Sequence, residues 1–261
     1  MSFKKIRILL LLLVLFVVAL QTGLTHMRST DWEEPLWVVI YPVNGDGSQK
    51  AADYIAGLSE EDFQDIARFF SRQAEHYQLG IDEPFTIKLS APVAEQPPVP
   101  PKDGNMLAVI AWSLHLRYWS WANDNWDGPR PDIQMFVKYF DPSTSPRLAH
   151  SLGLQKGMVG VVNAFAHRKM VGSNNVVIAH ELLHTVGATD KYDPATNQPL
   201  YPLGFAEPKR VPLYPQRRAE LMAGRIPIDK NHAETPTSLD SVVIGLATAI
   251  EIRWLDDAET D

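Results

Sequence analysis

His180-Glu181-Leu182-Leu183-His184-Thr185-Val186-Gly187-Ala188-Thr189-Asp190 spells H-E-x-x-H-x-x-G-x-x-D. Helical residues advance by about 100° each, so positions four apart lie about 40° apart around the axis and one turn along it. Two imidazoles so placed can grip one zinc ion. Glu181, about 100° round from His180, then stands beside the metal rather than on it. There a carboxylate base can take a proton from a zinc-activated water. Val176, Val177, Ile178, Leu182, Leu183 and Val186 are apolar, as expected of a helix buried on most sides with one polar stripe facing a cleft.

A catalytic zinc site takes three protein ligands and keeps one open position. Gly187 stands where such a helix would stop, since glycine adopts the left-handed conformation that reverses a chain. Asp190, three residues on, can fold back as a hard oxygen ligand. Asp193 is close enough to replace it, and Tyr192 between them is a candidate donor to an oxyanion. An aspartate ligand leaves the site less positive than a third histidine and puts more weight on Glu181. A later glutamate, Glu207 or Glu220, would give a rival ligand set.

This stretch resembles the metzincin clan of zinc metallopeptidases. It is most similar to members with aspartate as third ligand, the snapalysin-type and immune-inhibitor-A-type bacterial proteases. Gly187-Ala188-Thr189-Asp190-Lys191-Tyr192-Asp193 is similar to their G-x-x-D-x-Y-D continuation. The resemblance implies a methionine turn beneath the histidines, for which Glu220-Leu221-Met222-Ala223-Gly224 is the fitting segment. It also implies an α+β fold, with a mixed twisted sheet, an active-site helix, and a small irregular C-terminal lobe carrying the Met-turn and a C-terminal helix. The likeness spans roughly residues 174–224. It departs from the pattern after Met222, where Ala223 and Gly224 replace the tyrosine that many members carry.

The chain has 261 residues, 45% of them hydrophobic, enough for one sizeable core. Its net charge is −7, with no dominant basic patch, which argues against nucleic acid as a partner. Cysteine is absent, which excludes disulfides, a lipid-modified cysteine anchor, cysteine zinc ligands and a thiolate latch. Lys4, Lys5 and Arg7 precede an apolar run from Ile8 to Leu20. That pattern reads as a signal peptide or an uncleaved signal anchor over residues 1–27, with a metallopeptidase domain over 28–261 outside the cytoplasm. Within that domain the N-lobe is expected over about 32–188 and the C-lobe over about 189–261.

Outward from the motif, Leu36–Tyr41 and Phe85–Leu89 read as strands. Asn44-Gly45-Asp46-Gly47 reads as a turn, and Ser59–Gln78 as an amphipathic helix begun by Ser59 and acidic residues. Ala91–Pro101 is an extended proline-rich excursion. Met106–Trp121 admits either helix or strand. With Trp126 its tryptophans form an aromatic cluster that either packs on the sheet or faces a membrane or substrate. Ile133–Phe140 and Gly160–Ala166 read as strands. By analogy the second lines the cleft, with Asn163 and His167 as substrate contacts, while His150 and His232 are ordinary residues. Ser238–Ile252 reads as the C-terminal helix.

The function expected is hydrolysis of peptide bonds in a peptide or protein substrate by a zinc-activated water. His180, His184 and Asp190 hold the metal and Glu181 is the base, with the N-terminal segment on the membrane. The competing class is a non-catalytic, membrane-anchored binding protein of the same fold. Oligomeric state is not legible.

Overall fold

The computed structural model describes residues 31–101, 105–154 and 158–256, together with Arg7. The N-terminal apolar run lies outside the described residues. Among those described, no helix is long and apolar enough to cross a membrane. The fold is α+β, built on a five-stranded mixed sheet of order β2-β1-β3-β5-β4. The strands are β1 (Leu36–Asn44), β2 (Phe85–Leu89), β3 (Ile133–Phe140), β4 (Leu152–Leu154) and β5 (Val159–Phe165). All pairs are parallel except β4 with β5.

Side chains alternate strictly across this sheet, and both faces are apolar. Leu36, Val38 and Ile40 of β1 enter one core, and Val39, Tyr41 and Val43 the other. The first core lies under α1 (Gln49–Ala56), α2 (Gln64–His76) and α4 (Val171–Thr185); the second lies under α3 (Met106–Ala122) alone. Connection handedness explains the split. From β1 to β2 the chain steps one way along the sheet, and from β2 to β3 it steps back past β1, so two right-handed crossovers put their helices on opposite faces.

Several elements differ from the sequence reading for physical reasons. Strand β1 runs through Pro42, whose carbonyl accepts from Val93 N at 2.8 Å on the side where β2 has already ended. In a parallel strand the N–H points the same way as the C=O, so the donor proline lacks faces no ladder partner. Helix α1 is an addition, capped by Ser48 Oγ accepting from Ala51 N. Residues Glu60–Phe63 form a 3₁₀ turn before α2. The expected C-terminal helix shrinks to α5 (Leu246–Glu251), because Val242–Val243 is drawn out as strand β7 against β6 (Ala219–Glu220).

Another correction concerns the cleft. Strand β5 lies inside the sheet, between β3 and β4, so residues 160–166 do not present a free edge. The edge belongs to β4, which lies directly against α4. A Cβ on Gly153 would collide with the Glu181 carbonyl and come within 2.6 Å of His184 Cβ. Asn163 is used internally, its Nδ2 donating to the carbonyls of Ala149 and His150. His167 caps the turn before α4, with Nδ1 accepting from Lys169 N.

Gly153→Ala should therefore push β4 off the helix and cost about 1–3 kcal/mol in urea unfolding. Gly80→Ala, where nothing lies within 4 Å, should change stability by under about 0.5 kcal/mol. Equal effects at the two positions would refute the close-packed edge.

Candidate metal centre

Helix α4 is fixed before it delivers its side chains. Asn174 mimics a strand neighbour, its Oδ1 accepting from Phe165 N and its Nδ2 donating to Phe165 O, while Asn175 Nδ2 donates to Asp62 O. The helix ends at Thr185, and Gly187 at φ 112° reverses the chain. The Ala188 carbonyl then lies 2.8 Å from His184 Nδ1, and the Leu221 carbonyl lies 2.9 Å from His180 Nδ1. A carbonyl only accepts, so each ring carries its proton on Nδ1 and turns the Nε2 lone pair inward.

Those lone pairs meet Asp190. His180 Nε2 and His184 Nε2 are 3.2 Å apart, and each is 3.2 Å from Asp190 Oδ1. Donors bound tetrahedrally to zinc at about 2.0–2.1 Å are roughly 3.3 Å apart, so the donor set fits that ion in both spacing and chemistry. The electrostatics agree. Burial works against a charged His180, but hydrogen bonding to Asp190, the Glu181 charge and the Leu221 carbonyl outweigh it and raise its pKa. Burial likewise opposes an ionised Asp190, yet the two histidines hold its carboxyl far below the usual range. Both shifts express a site that favours positive charge at its centre.

Glu181 is buried, and its Oε2 has no hydrogen-bond partner among the described residues. Burial raises its pKa; His180 and His184 pull it down, Asp190 pushes it up, and the Gly153 backbone lowers it. Tyr192 sits with its ring centroid 6.3 Å from that of His180, tilted by 36°. Its phenol is raised by burial, then by the charges of Asp190 and Glu181 and a hydrogen bond to Asp190.

The other carboxylates named from the sequence are committed elsewhere. Asp193 Oδ1 accepts from Ala195 N in a turn. Glu207 faces Arg210 at 3.4 Å. Glu220 is fully buried. Its Oε2 accepts from Ala223 N, and its Oε1 accepts from Gly245 N and Thr248 Oγ1. Met222 is buried in a short 3₁₀ turn, Leu221–Ala223, closed by Gly224 at φ 67°. Its carbonyl accepts from Lys191 N and the preceding one faces His180, so this turn abuts the His180–His184–Asp190 cluster on two sides.

One residue of the site gave no sequence signal. Glu251 of α5 grips both neighbours of Asp190, accepting from Thr189 N at 2.9 Å, Thr189 Oγ1 at 2.7 Å and Lys191 Nζ at 2.7 Å. The Lys191 side chain is only 5% exposed.

No family model and no curated protein matches this chain. Among solved structures, one similar chain belongs to a structure described as a chaperone–substrate complex. It has a TM-score of 0.38 and 9% identity, covering 84% of this chain and 34% of that one. The chain thus spans about a third of that relative's length, and a likeness so weak carries no argument.

Breaking the Lys191–Glu251 pair leaves a buried cation uncompensated, so Glu251→Ala should cost about 3–5 kcal/mol in urea unfolding at neutral pH. Burial would raise the Glu251 carboxyl, but Lys191 and Thr189 hold it below its ordinary value of 4.5. With the folded pKa depressed, this stabilisation is present above about pH 4.5 and is lost as pH falls through the folded value. The gap between wild type and Glu251→Gln should therefore narrow as unfolding is measured from pH 6 down to pH 3. A gap that widens would overturn the assignment.

Proposed function

We propose that this chain is a zinc-dependent endopeptidase of metzincin type, acting outside the cytoplasm on peptide or protein substrates. The observation that carries the reading is the triangle of inward lone pairs on His180, His184 and Asp190, with a Glu181 oxygen next along the helix that has no hydrogen-bond partner among the described residues. In this reading those three residues hold Zn²⁺, and the turn around Met222 is the methionine turn. Bound zinc supplies a Lewis acid and brings a water close to ionisation at neutral pH.

The residues of the chain do the rest. Glu181 takes the proton from the attacking water and passes it to the leaving amine nitrogen as the C–N bond breaks. Its burial strengthens it as a base relative to a solvated carboxylate. Tyr192, kept protonated by burial and by its acidic neighbours, donates to the oxygen that becomes negative. An extended peptide adds to the outer edge of β4, which has no strand partner among the described residues. The edge runs beside Glu181 and His184, so strand pairing delivers the scissile carbonyl to the base.

Metal content by elemental mass spectrometry should give about one zinc per chain for the wild type and for Asp193→Ala, and none for Asp190→Ala. Glu181→Gln should keep its zinc yet lose about 10²–10⁴-fold in turnover of an unfolded protein substrate. A folded wild type that takes up no zinc would overturn the proposal, as would near-native turnover by Glu181→Gln.

A further inference from the structure

Helix α3 has a use that the metal site does not absorb. From Met106 to Ala122 it contains no acidic side chain. It is tied to the body where Trp112 Nε1 donates to Pro98 O at 2.9 Å, and its first buried residue is Leu116, followed by Trp119 on Phe136. The turns before that tie stand clear. Met106 is 76% exposed, Leu107 75% and Ile110 50%, and Val99 on the incoming leg is 76% exposed.

Consecutive helical positions rotate by about 100°, so the six apolar residues Met106, Leu107, Ala108, Val109, Ile110 and Ala111 between them point to every side of the axis. A protein groove takes one stripe of a helix, spaced i, i+3, i+4, i+7. A helix end that is apolar all round suits a medium that surrounds it. Immediately behind the tip come Trp112, His115, Arg117, Tyr118 and Trp121, the last 73% exposed. Aromatic and cationic residues in that order fit the headgroup level of a bilayer. Six residues of helix rise about 9 Å, which matches the roughly 5–10 Å burial of elements seated at the headgroup–acyl boundary.

We propose that the Met106–Ala111 end of α3 inserts into one leaflet of a phospholipid bilayer and docks the folded domain on the membrane surface. The insertion is independent of the zinc reading. It complements the basic-then-apolar N-terminal run, which would hold the same domain at the same bilayer.

The absence of cysteine makes the test clean. The full chain carrying Leu107→Cys, labelled with an environment-sensitive fluorophore, is reconstituted into phosphatidylcholine–phosphatidylglycerol vesicles. A second chain is labelled at Val211→Cys, a position 93% exposed in an irregular loop. Both positions are exposed, so neither label disturbs the core. Emission at 107 should shift to the blue and be quenched by brominated acyl chains, while the label at 211 stays aqueous and unquenched. Adding Ile110→Asp should reverse the shift. Three results would overturn insertion. The label at 107 could remain as water-accessible as that at 211, or both could be quenched alike. It could also be shielded without bromine quenching, which would mean that protein, a second copy or the N-terminal run, covers the tip.

Discussion

Electron pairs on His180 Nε2, His184 Nε2 and Asp190 Oδ1 are held 3.2 Å apart, and such an arrangement is repulsive unless positive charge lies between them. Much of the surrounding architecture serves to maintain that approach. The Leu221 and Ala188 carbonyls fix both imidazoles in the tautomer that points lone pairs inward. The reversal at Gly187 brings Ala188 back under the helix, and Glu251 holds the segment on either side of Asp190. The Ala188 contact and the Gly187 reversal are local, but the Leu221 carbonyl and Glu251 come from elements distant in sequence. The geometry of the His–His–Asp cluster is therefore a property of the folded domain and not of the helix alone.

That distinction marks what the sequence could disclose. His180, Glu181 and His184 were legible because their relation is set by helical period. The stop at Gly187 was legible because glycine's conformational freedom is local. Choosing Asp190 over Asp193 was not, since both follow the same reversal. What separates them is Glu251 reaching Thr189 and Lys191 from the far end of the chain, while Asp193 turns aside to its own loop. The sheet edge was hidden for a similar reason. Strand β4 has three residues, one of them Gly153, and its meaning lies in its contact with α4. Helix α1 left a faint trace in Ser48, a capping residue that the neighbouring Gly and Asp made look like part of a turn. The C-terminal helix was over-extended because Val242 and Val243 fit a helical pattern as well as the strand that β6 makes of them.

The segment between α4 and α5 has little regular structure and no disulfide, so side chains supply its order. Gln216, buried, closes the proline-rich loop by donating to the Glu207 and Leu213 carbonyls and accepting from Glu207 N. Glu220 binds the Leu221–Ala223 turn to the start of α5 through Ala223 N, Gly245 N and Thr248 Oγ1. A buried carboxylate that receives three donors is costly to remove, because each donor is then left unsatisfied. The two acids have different reach. Glu220 sets the turn beside His180, and Glu251 sets the segment that bears Asp190, so α5 braces the His–His–Asp cluster from two directions.

Those same contacts decide which group can meet an oxyanion in the proposed reaction. Ala223 is buried, its N–H is taken by Glu220, and Gly224 holds a left-handed φ that side chains resist. A phenol after Met222, as the metzincin resemblance would suggest, would have to enter the buried position 223 or take the left-handed backbone of 224, where nothing lies within 4 Å of a Cβ but the φ itself is strained. Tyr192 reaches the site from the other flank, following Lys191, whose N–H is bound to the Met222 carbonyl. Burial and the negative charges of Asp190 and Glu181 raise its pKa, so it stays protonated at neutral pH as a donor must. The residue missing from one side of the turn is thus answered by one that the turn itself positions.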